Sequence, residues 1–209
     1  MNIFDLLQDP RLDISPGSIT LKEIKIQLSS YLDLLVKWNK KINLTSEKTA
    51  QEILNKHIFD SLQYARTLLP NDRIIDIGSG AGFPGIPLKI IYPDLEITLV
   101  ESQRKRCSFL YSVIHQLNLK KIKVINERAE KVFTPPIADA VLLRAVTDIN
   151  SCLKLATPFL VKGGKVVLKK PPEEKINDCF EEFLLKQEWE VFGYNNKQSN
   201  LLVFEKCFT

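Results

Sequence analysis

Gly78-Ser79-Gly80-Ala81-Gly82-Phe83-Pro84-Gly85 holds four of the chain's eight glycines and follows directly on the apolar run Ile74-Ile75-Asp76-Ile77. Glycine at that density lets a backbone take positive φ and come within contact distance of a ligand. A strand, a glycine turn and then a helix build a nucleotide-type site at the carboxyl edge of an α/β sheet. Gly80 to Gly85 also matches the G-x-G-x-x-G dinucleotide fingerprint. The context differs, however. Asp76 lies near the strand end and Gly78 precedes the match, so the pattern reads D-x-G-x-G-x-G. Pro84 and Pro87 remove two N–H donors that a pyrophosphate would want. An acid beside the turn repels phosphate and suits a ligand with an amino group and a sulfonium, which is S-adenosylmethionine. The competing reading is a tight turn that holds no ligand.

Two further acids extend the site. Glu96-Ile97-Thr98-Leu99-Val100-Glu101 alternates as a strand ending on an acid. Such an acid, about 20 residues past the glycine turn, accepts from ribose hydroxyls in either cofactor class. Ile122-Lys123-Val124-Ile125 leads into Asn126-Glu127-Arg128-Ala129-Glu130, which places Glu130 to accept from an adenine amino group. Taken alone, Glu130 reads equally well as a solvated surface acid.

These residues need a scaffold. From Arg73 onward, strand and helix alternate: strands near 73–77, 96–101, 122–126, 138–143 and 165–169, with helices near 85–92, 103–117, 148–160 and 174–187. Ser102 is expected to cap the second of these helices. Two closing strands near 189–194 and 200–205 flank the polar turn Asn195-Asn196-Lys197-Gln198 and should pair antiparallel. The alternation predicts a doubly wound, mostly parallel sheet. Residues 1–70 differ and predict a helical extension packed on an α/β unit spanning 71–209. Thr20-Leu21-Lys22-Glu23 is a capping box that opens a helix with Ile24, Leu28, Tyr31, Leu32, Leu35 and Trp38 on one stripe. A second box, Thr49-Ala50-Gln51-Glu52, opens another helix that ends at Pro70-Asn71.

Composition bounds the class. The 209 residues are 44% hydrophobic and 26% charged, enough for one sizeable core and unlike a disordered chain. A net charge of +4 permits a nucleic-acid partner without demanding one. Cys107, Cys152, Cys179 and Cys207 are scattered without a C-x-x-C pair, so neither a disulfide frame nor a metal site is expected. The opening residues lack a signal-peptide pattern, and no apolar run approaches the ~20 residues needed to span a bilayer. These features predict a cytoplasmic protein.

Together, Trp38-Asn39-Lys40-Lys41-Ile42-Asn43-Leu44-Thr45, His57-Ile58-Phe59-Asp60-Ser61-Leu62, the segment Asp76 to Pro87, Thr98 to Ser102 with Lys105-Arg106, and Arg144-Ala145 resemble the RsmG (GidB) family. That family comprises the bacterial 16S rRNA guanine-N7 methyltransferases. The resemblance runs from Tyr31 to Lys169 in order and spacing. It implies a class I S-adenosylmethionine-dependent fold: Rossmann-like, seven-stranded, with an antiparallel last strand and an N-terminal helical extension. It also implies methylation of N7 of one guanine in the decoding region of small-subunit rRNA, as RNA or ribosomal particle; a monomer is expected.

The residues agree with that chemistry. Guanine N7 carries an in-plane lone pair and no proton, so in-line attack needs no general base and catalysis is largely positioning. The place after strand four reads Leu143-Arg144-Ala145-Val146, not the N/D-P-P-Y/F element of amino-nitrogen methyltransferases. No Pro-Cys nucleophile of the pyrimidine-C5 type stands at a strand end. The family pattern places Gly78, Phe83, Ala129, Glu130 and Arg144 around the cofactor, to which the residue reading adds Gly80, Gly82 and Glu101. Arg144 suits guanine O6, a phosphate or the methionine carboxylate. Asn39, Asn43 and His57 match family positions lining the site. The asparagines are also read as helix-end caps, and His57, at i, i+3 from Asp60, as a structural histidine. Lys169 stands where the family carries a lysine. Arg104, Lys105 and Arg106 with Lys120, Lys121 and Lys123 form a basic face, which reads as a solvated surface or as one that rRNA binding would use. Arg144, Asn39 and Lys169 are therefore the candidate catalytic residues; Asn39, Asn43, His57, Arg106 and Lys169 are the candidate substrate contacts.

Two departures from the family concern RNA binding. Lys170-Pro171-Pro172 replaces a glycine after Lys169. Asn200 stands where an arginine is common, a contact that Lys197 can supply. The alternatives are a methyltransferase of small molecules or proteins, a non-catalytic RNA-binding module and, third, a nicotinamide-dependent oxidoreductase.

Overall fold

The computed structural model describes residues 2–16, 19–133, 135–144, 148–172, 179–180 and 182–207. Among them the strands are β1 (Arg73–Ile77), β2 (Glu96–Val100), β3 (Ile122–Ile125), β4 (Ala138–Arg144), β5 (Leu160–Lys170), β6 (Cys179–Phe180), β7 (Phe183–Phe192) and β8 (Gln198–Lys206). They form one sheet in the order β3-β2-β1-β4-β5-β8-β7-β6. The first five strands run parallel, and β8 is antiparallel to both β5 and β7. This is the expected seven-stranded sheet with its antiparallel last strand, extended at one edge by the two-residue β6. Strand order reverses between β1 and β4, the place where open α/β sheets bind ligands.

Successive strand residues serve opposite faces. Ile74, Leu99, Leu142 and Val167 join the core under the N-terminal helices, while Ile75, Val100, Val141 and Leu168 join the core on the other face. By the same alternation Asp76, Arg144 and Lys169 fall on the face that carries the N-terminal helices. Their chemistry and the helical region's therefore share one side of the sheet.

On that side α1 (Ile3–Leu7) precedes the long helix α2 (Leu21–Ile42). The Thr20 box forms as expected: Thr20 Oγ1 accepts from the Glu23 amide at 3.2 Å and Glu23 accepts from the Thr20 amide at 2.9 Å. The buried stripe is Ile24, Leu28, Tyr31, Leu32, Leu35 and Asn39, with Trp38 only partly buried beside it. Tyr31 reaches the glycine turn and donates to the Ala81 carbonyl at 2.6 Å from a fully buried position. Tyr31→Phe is expected to cost about 1–3 kcal/mol, because it strands a buried carbonyl. A urea midpoint unchanged by that substitution would contradict the tie.

The second capping box, Thr49 with Glu52, also forms, but the helix it opens is not uniform. α3 (Ala50–Ile53) passes into a π-helical turn, Leu54–Ile58, then α4 (Phe59–Leu62) and a 3-10 turn, Gln63–Thr67. π turns recur at functional sites because the extra residue re-aims side chains; this one carries His57. Three helices follow between the strands: α5 (Gly85–Ile91), α6 (Arg104–Gln116) and α7 (Ile149–Ala156).

The structure corrects three local expectations. Gln103, not Ser102, is the N-cap of α6, and it makes no side-chain cap. β5 begins at Leu160, five residues before the expected start, and carries Gly163 at φ +76° within it. The helix expected near 174–187 is replaced at its C-terminal end by β6 and β7; residues 174–178 and 181 of it lie outside the described residues. Glu, Leu, Lys and Gln favour helix locally. Against that, β8 buries Leu201, Leu202, Val203 and Phe204, and its free edge needs a partner. The ladder from Phe183↔Lys206 to Phe192↔Gln198 supplies one, and tertiary pairing overrides propensity.

Candidate functional site

The turn after β1 is tied to the end of β2. Gly78 and Ser79 donate to the Val100 carbonyl at 2.9 and 3.2 Å, and Gly80 donates to the Glu101 carboxylate at 3.0 Å. Gly78 and Gly80 have φ of +72° and +58°. A Cβ at Gly78 would meet nothing within 4 Å, and one at Gly80 only the Gly78 carbonyl oxygen at 3.8 Å. Their positive φ therefore shapes a cradle with an open side. Gly85 is glycine for a different reason. A Cβ there would stand 2.5 Å from Leu99 Cδ2 and 2.8 Å from Asp76 Oδ2.

Asp76 is fully buried. Its Oδ2 accepts from the Gly85 amide at 2.9 Å, and its Oδ1 has no hydrogen-bond partner among the described residues. Burial pushes its carboxyl up to about 7, against the Gly85 hydrogen bond and the nearby Arg144 charge, which favour ionisation. Glu101, 4% exposed, also accepts from the Gln103 amide at 2.7 Å. A carboxylate has about four acceptor positions, so two backbone donors leave room for hydroxyls. Arg106 Nη1 stands 3.9 Å from Glu101 on α6. Asn126 ties β3 to this corner by donating to the Glu101 and Ser102 carbonyls, each at 3.1 Å. Ala129 opens a short 3-10 turn beyond β3, and Glu130 within it is exposed.

A cavity of about 180 Å³ opens beside the turn, lined by Leu44, Thr45, His57, Gly78, Gly80 and Arg144, among others. The buried Phe83 ring is a shared platform: the Arg144 guanidinium lies 4.9 Å from its centroid, and the His57 ring stacks on it at 4.9 Å and 24°. His57 does not pair with Asp60, the partner its spacing offered. Its Nε2 lies 2.8 Å from Thr45 Oγ1 and 2.5 Å from Glu47. Thr45 and Lys56 bond the same Glu47 carboxylate. Burial and the Arg144 charge lower the His57 pKa, against the Glu47 bond that raises it, while Lys56, Thr45 and His57 hold Glu47 well below the usual carboxylate range despite its burial.

Asn39 is buried and committed to the loop that carries these residues. It accepts from the Thr45 amide at 2.9 Å and donates to the Glu47 carbonyl at 2.7 Å. Asn43 is the exposed C-cap of α2, in the left-handed region at φ 50°. Both asparagines thus do what helix-end residues do. Lys169 lies in register with Arg144 on the neighbouring strand. Its ammonium pairs with Asp60 at 2.8 Å and donates to Gln63 at 2.8 Å, and its pKa is lowered by burial. Asn200 donates to Glu188 across β7 and β8 at 2.7 Å, so its amide is spent within the sheet. Ala145 lies outside the described residues.

The structure therefore brings Gly78, Gly80, Phe83, Glu101, His57 and Arg144 around one corner of the sheet edge and sets Lys169 in an adjoining cavity. The residues that sequence reasoning missed are Thr45, Glu47 and Asp60. Thr45 lay inside a quoted motif, and no periodicity marked Glu47.

Comparison with known proteins is consistent with this geometry. The family model described as GidB, rRNA small subunit methyltransferase G, matches residues 24–201. Relatives named ribosomal RNA small subunit methyltransferase G include one from Desulfitobacterium hafniense, 43% identical over 160 residues, covering 71% of this chain and 66% of the relative. Another, from Clostridium botulinum, is 38% identical over 185 residues, covering 84% and 76%. The match thus spans just under two thirds of the Desulfitobacterium protein's length. Among solved structures, a SAM dependent methyltransferase from Aquifex aeolicus superposes with a TM-score of 0.56 at 14% identity, covering 74% of this chain and 93% of that one. TrmN from Thermus thermophilus gives 0.57 at 19% identity, covering 71% and 48%. At such identities the superpositions speak for the fold.

Proposed function

Because this chain belongs to the rRNA small subunit methyltransferase G (GidB) family, we propose that it transfers a methyl group from S-adenosylmethionine to N7 of one guanine in the decoding region of small-subunit rRNA. The working unit in this reading is a monomer in the cytoplasm. Among the described residues no helix is long and apolar enough to cross a membrane. The observation that carries the reading is the corner between β1 and β4. There an open glycine cradle and the Arg144 guanidinium line one cavity, and Asp76, on the strand that leads into the cradle, keeps a buried oxygen without a hydrogen-bond partner among the described residues.

Those features fit the cofactor. Gly78, Gly80, Gly82 and Phe83 form the turn that would hold it; Glu101 offers acceptor positions to ribose hydroxyls, Ala129 and Glu130 border the adenine side, and Arg144 suits a carboxylate. When bound, S-adenosylmethionine supplies a methyl group already activated on a sulfonium. Guanine N7 has no proton to lose, so the chain's task is alignment and exclusion of water. His57 fits that division of labour: its Nε2 is held by Thr45 and Glu47. It positions the loop and the Phe83 platform and is not needed as a base. Asn39 acts in the same way, bracing residues 45–47 from α2.

Asp76 makes the cofactor site pH-dependent. Its carboxyl sits at about 7, above the ordinary value, so the free folded chain holds this proton more tightly than the unfolded one does. Ionising Asp76 consequently costs folding stability as pH rises from the carboxylate range to about 7. A cationic ligand favours the ionised form, and its affinity should rise as pH passes from 6 to 8. Titrations at pH 6, 7 and 8 are expected to show that rise in the natural chain and to lose it in Asp76→Asn. Equal pH profiles in the two proteins would contradict the assignment.

The deciding experiment incubates the purified protein with labelled S-adenosylmethionine and small-subunit particles lacking N7-methylguanosine, and identifies the product nucleoside by mass. N7-methylguanosine at a single site is the expected result. Cofactor binding without rRNA methylation would overturn the reading in favour of another acceptor.

A further inference from the structure

Next to the cofactor corner, on the same face of the sheet, lies a second cavity of about 330 Å³ lined by Lys56, Asp60, Lys169, Tyr194 and Lys197, among others. Its wall is built from segments far apart in sequence. Lys169 is the penultimate residue of β5, Asp60 lies in α4, and residues 193–197 form the tip of the β7–β8 hairpin. The hairpin tip is held in place. Gln63 donates to the Phe192 carbonyl at 2.7 Å, Arg11 donates to the Gly193 carbonyl at 3.2 Å, and a Cβ on Gly193 would stand 3.6 Å from Asp60 Oδ1. The cavity is therefore organised before any ligand enters.

Its polar groups fall in a row. Asp60 pairs with Lys169 at 2.8 Å, and Lys169 is the register neighbour of Arg144, which lines the cofactor cavity. The sequence along that row is carboxylate, ammonium, guanidinium, cofactor cradle. Guanine presents a matching series along one edge: the N2 amino group and N1–H are donors, O6 is an acceptor, and N7 follows. A carboxylate is acceptor-only and takes two donors side by side, whereas an ammonium is donor-only. Asp60 and Gln63 take two of the Lys169 protons, and an ammonium has three.

We infer that Asp60 and Lys169 together read the Watson–Crick edge of the target guanine. The Asp60 carboxylate accepts from N1–H and the N2 amino group, and Lys169 donates to O6, which leaves N7 facing the cofactor cavity. This rests on the guanine-N7 reading above. Tyr194, 38% exposed and edge-on to Phe59 at 6.2 Å, lines the same cavity. Lys56 and Lys197 supply the positive charge for the RNA phosphates. Adenine fits poorly, because its N6 amino group would meet the ammonium and its unprotonated N1 the carboxylate.

The test crosses one protein change with one substrate change: Asp60→Asn, which keeps the side chain's shape, and rRNA carrying inosine at the target, which lacks only the N2 amino group. Cofactor affinity of the variant, expected within about twofold of the natural chain, reports that its fold and cofactor site are intact. On guanosine, Asp60→Asn should lower kcat/KM roughly 10- to 100-fold, the range for losing a bidentate base contact. The natural enzyme should lose about tenfold on inosine, and the variant should treat inosine and guanosine alike. An Asp60→Asn protein that transfers at the natural rate, or that still discriminates guanosine from inosine as the natural chain does, overturns the inference. If the variant does not fold, the natural enzyme's rate on inosine decides, and an undiminished rate overturns the inference. Failure of the natural enzyme to make N7-methylguanosine is a separate result and would sink the functional reading instead.

Discussion

Arg144→Ala is expected to lower methyl transfer by about a hundredfold or more, the scale seen when a preorganised charged donor is removed from a reaction site. The expectation rests on placement. Arg144 is the last residue of β4, on the strand that pairs with β1 at the switch point, and it shares a cavity with Gly78 and Gly80. Its guanidinium is oriented by the Phe83 ring 4.9 Å away, and Phe83 belongs to the glycine turn itself. Truncation removes the charge and the stacking partner together. Arg144→Lys should recover little, because an ammonium lacks the planar fork and the stacking face. Single-turnover transfer to rRNA, measured with saturating cofactor, is the deciding assay. Near-normal transfer by Arg144→Ala would remove Arg144 from the machinery.

Glu101→Ala should show its effect in binding. Glu101 is nearly buried at the end of β2 and holds two backbone amides, Gly80 at 3.0 Å and Gln103 at 2.7 Å. One amide sets the glycine turn and the other the entry to α6, so the carboxylate shapes the site even before it meets a ribose. Losing a charged acceptor costs roughly 1.5–3 kcal/mol per hydrogen bond, which predicts cofactor affinity weakened at least tenfold. Glu101→Gln keeps one oxygen acceptor and should fall between the alanine variant and the natural chain. Calorimetric titration with cofactor measures both. Equal affinity of Glu101→Ala and the natural protein would mean that the ribose is held elsewhere.

The Glu101 prediction could be framed from the sequence because its signal is local. Gly78 to Gly85 after an apolar run, and an acid at the next strand's end, are short-range patterns whose backbone requirements hold wherever the segment folds. The same is true of the capping boxes at Thr20 and Thr49, which form as their spacing requires. It is also true of the strand–helix alternation that yields the parallel sheet. The strand near 189–194 was legible, but β6 and the first half of β7 were not, since a segment rich in helix formers becomes a strand only when β8 offers it an open, apolar edge.

The amino-acid sequence alone carried the glycine turn, the acids that flank it, the α/β alternation and the likeness to the methyltransferase family. The tertiary structure alone decided which charges meet. His57 went to Thr45 and Glu47 rather than to Asp60, through a loop that Asn39 pins. Asp60 went to Lys169, and Lys169 came to lie beside Arg144 because β4 and β5 pair in register. Lys169 and Gln63, which also meet, are 106 residues apart in the chain. The physical reason is that helix and strand periods fix only the face on which a side chain sits. Which opposite charge it finds there depends on strand order and register, and the burial of both apolar faces of the sheet sets those together.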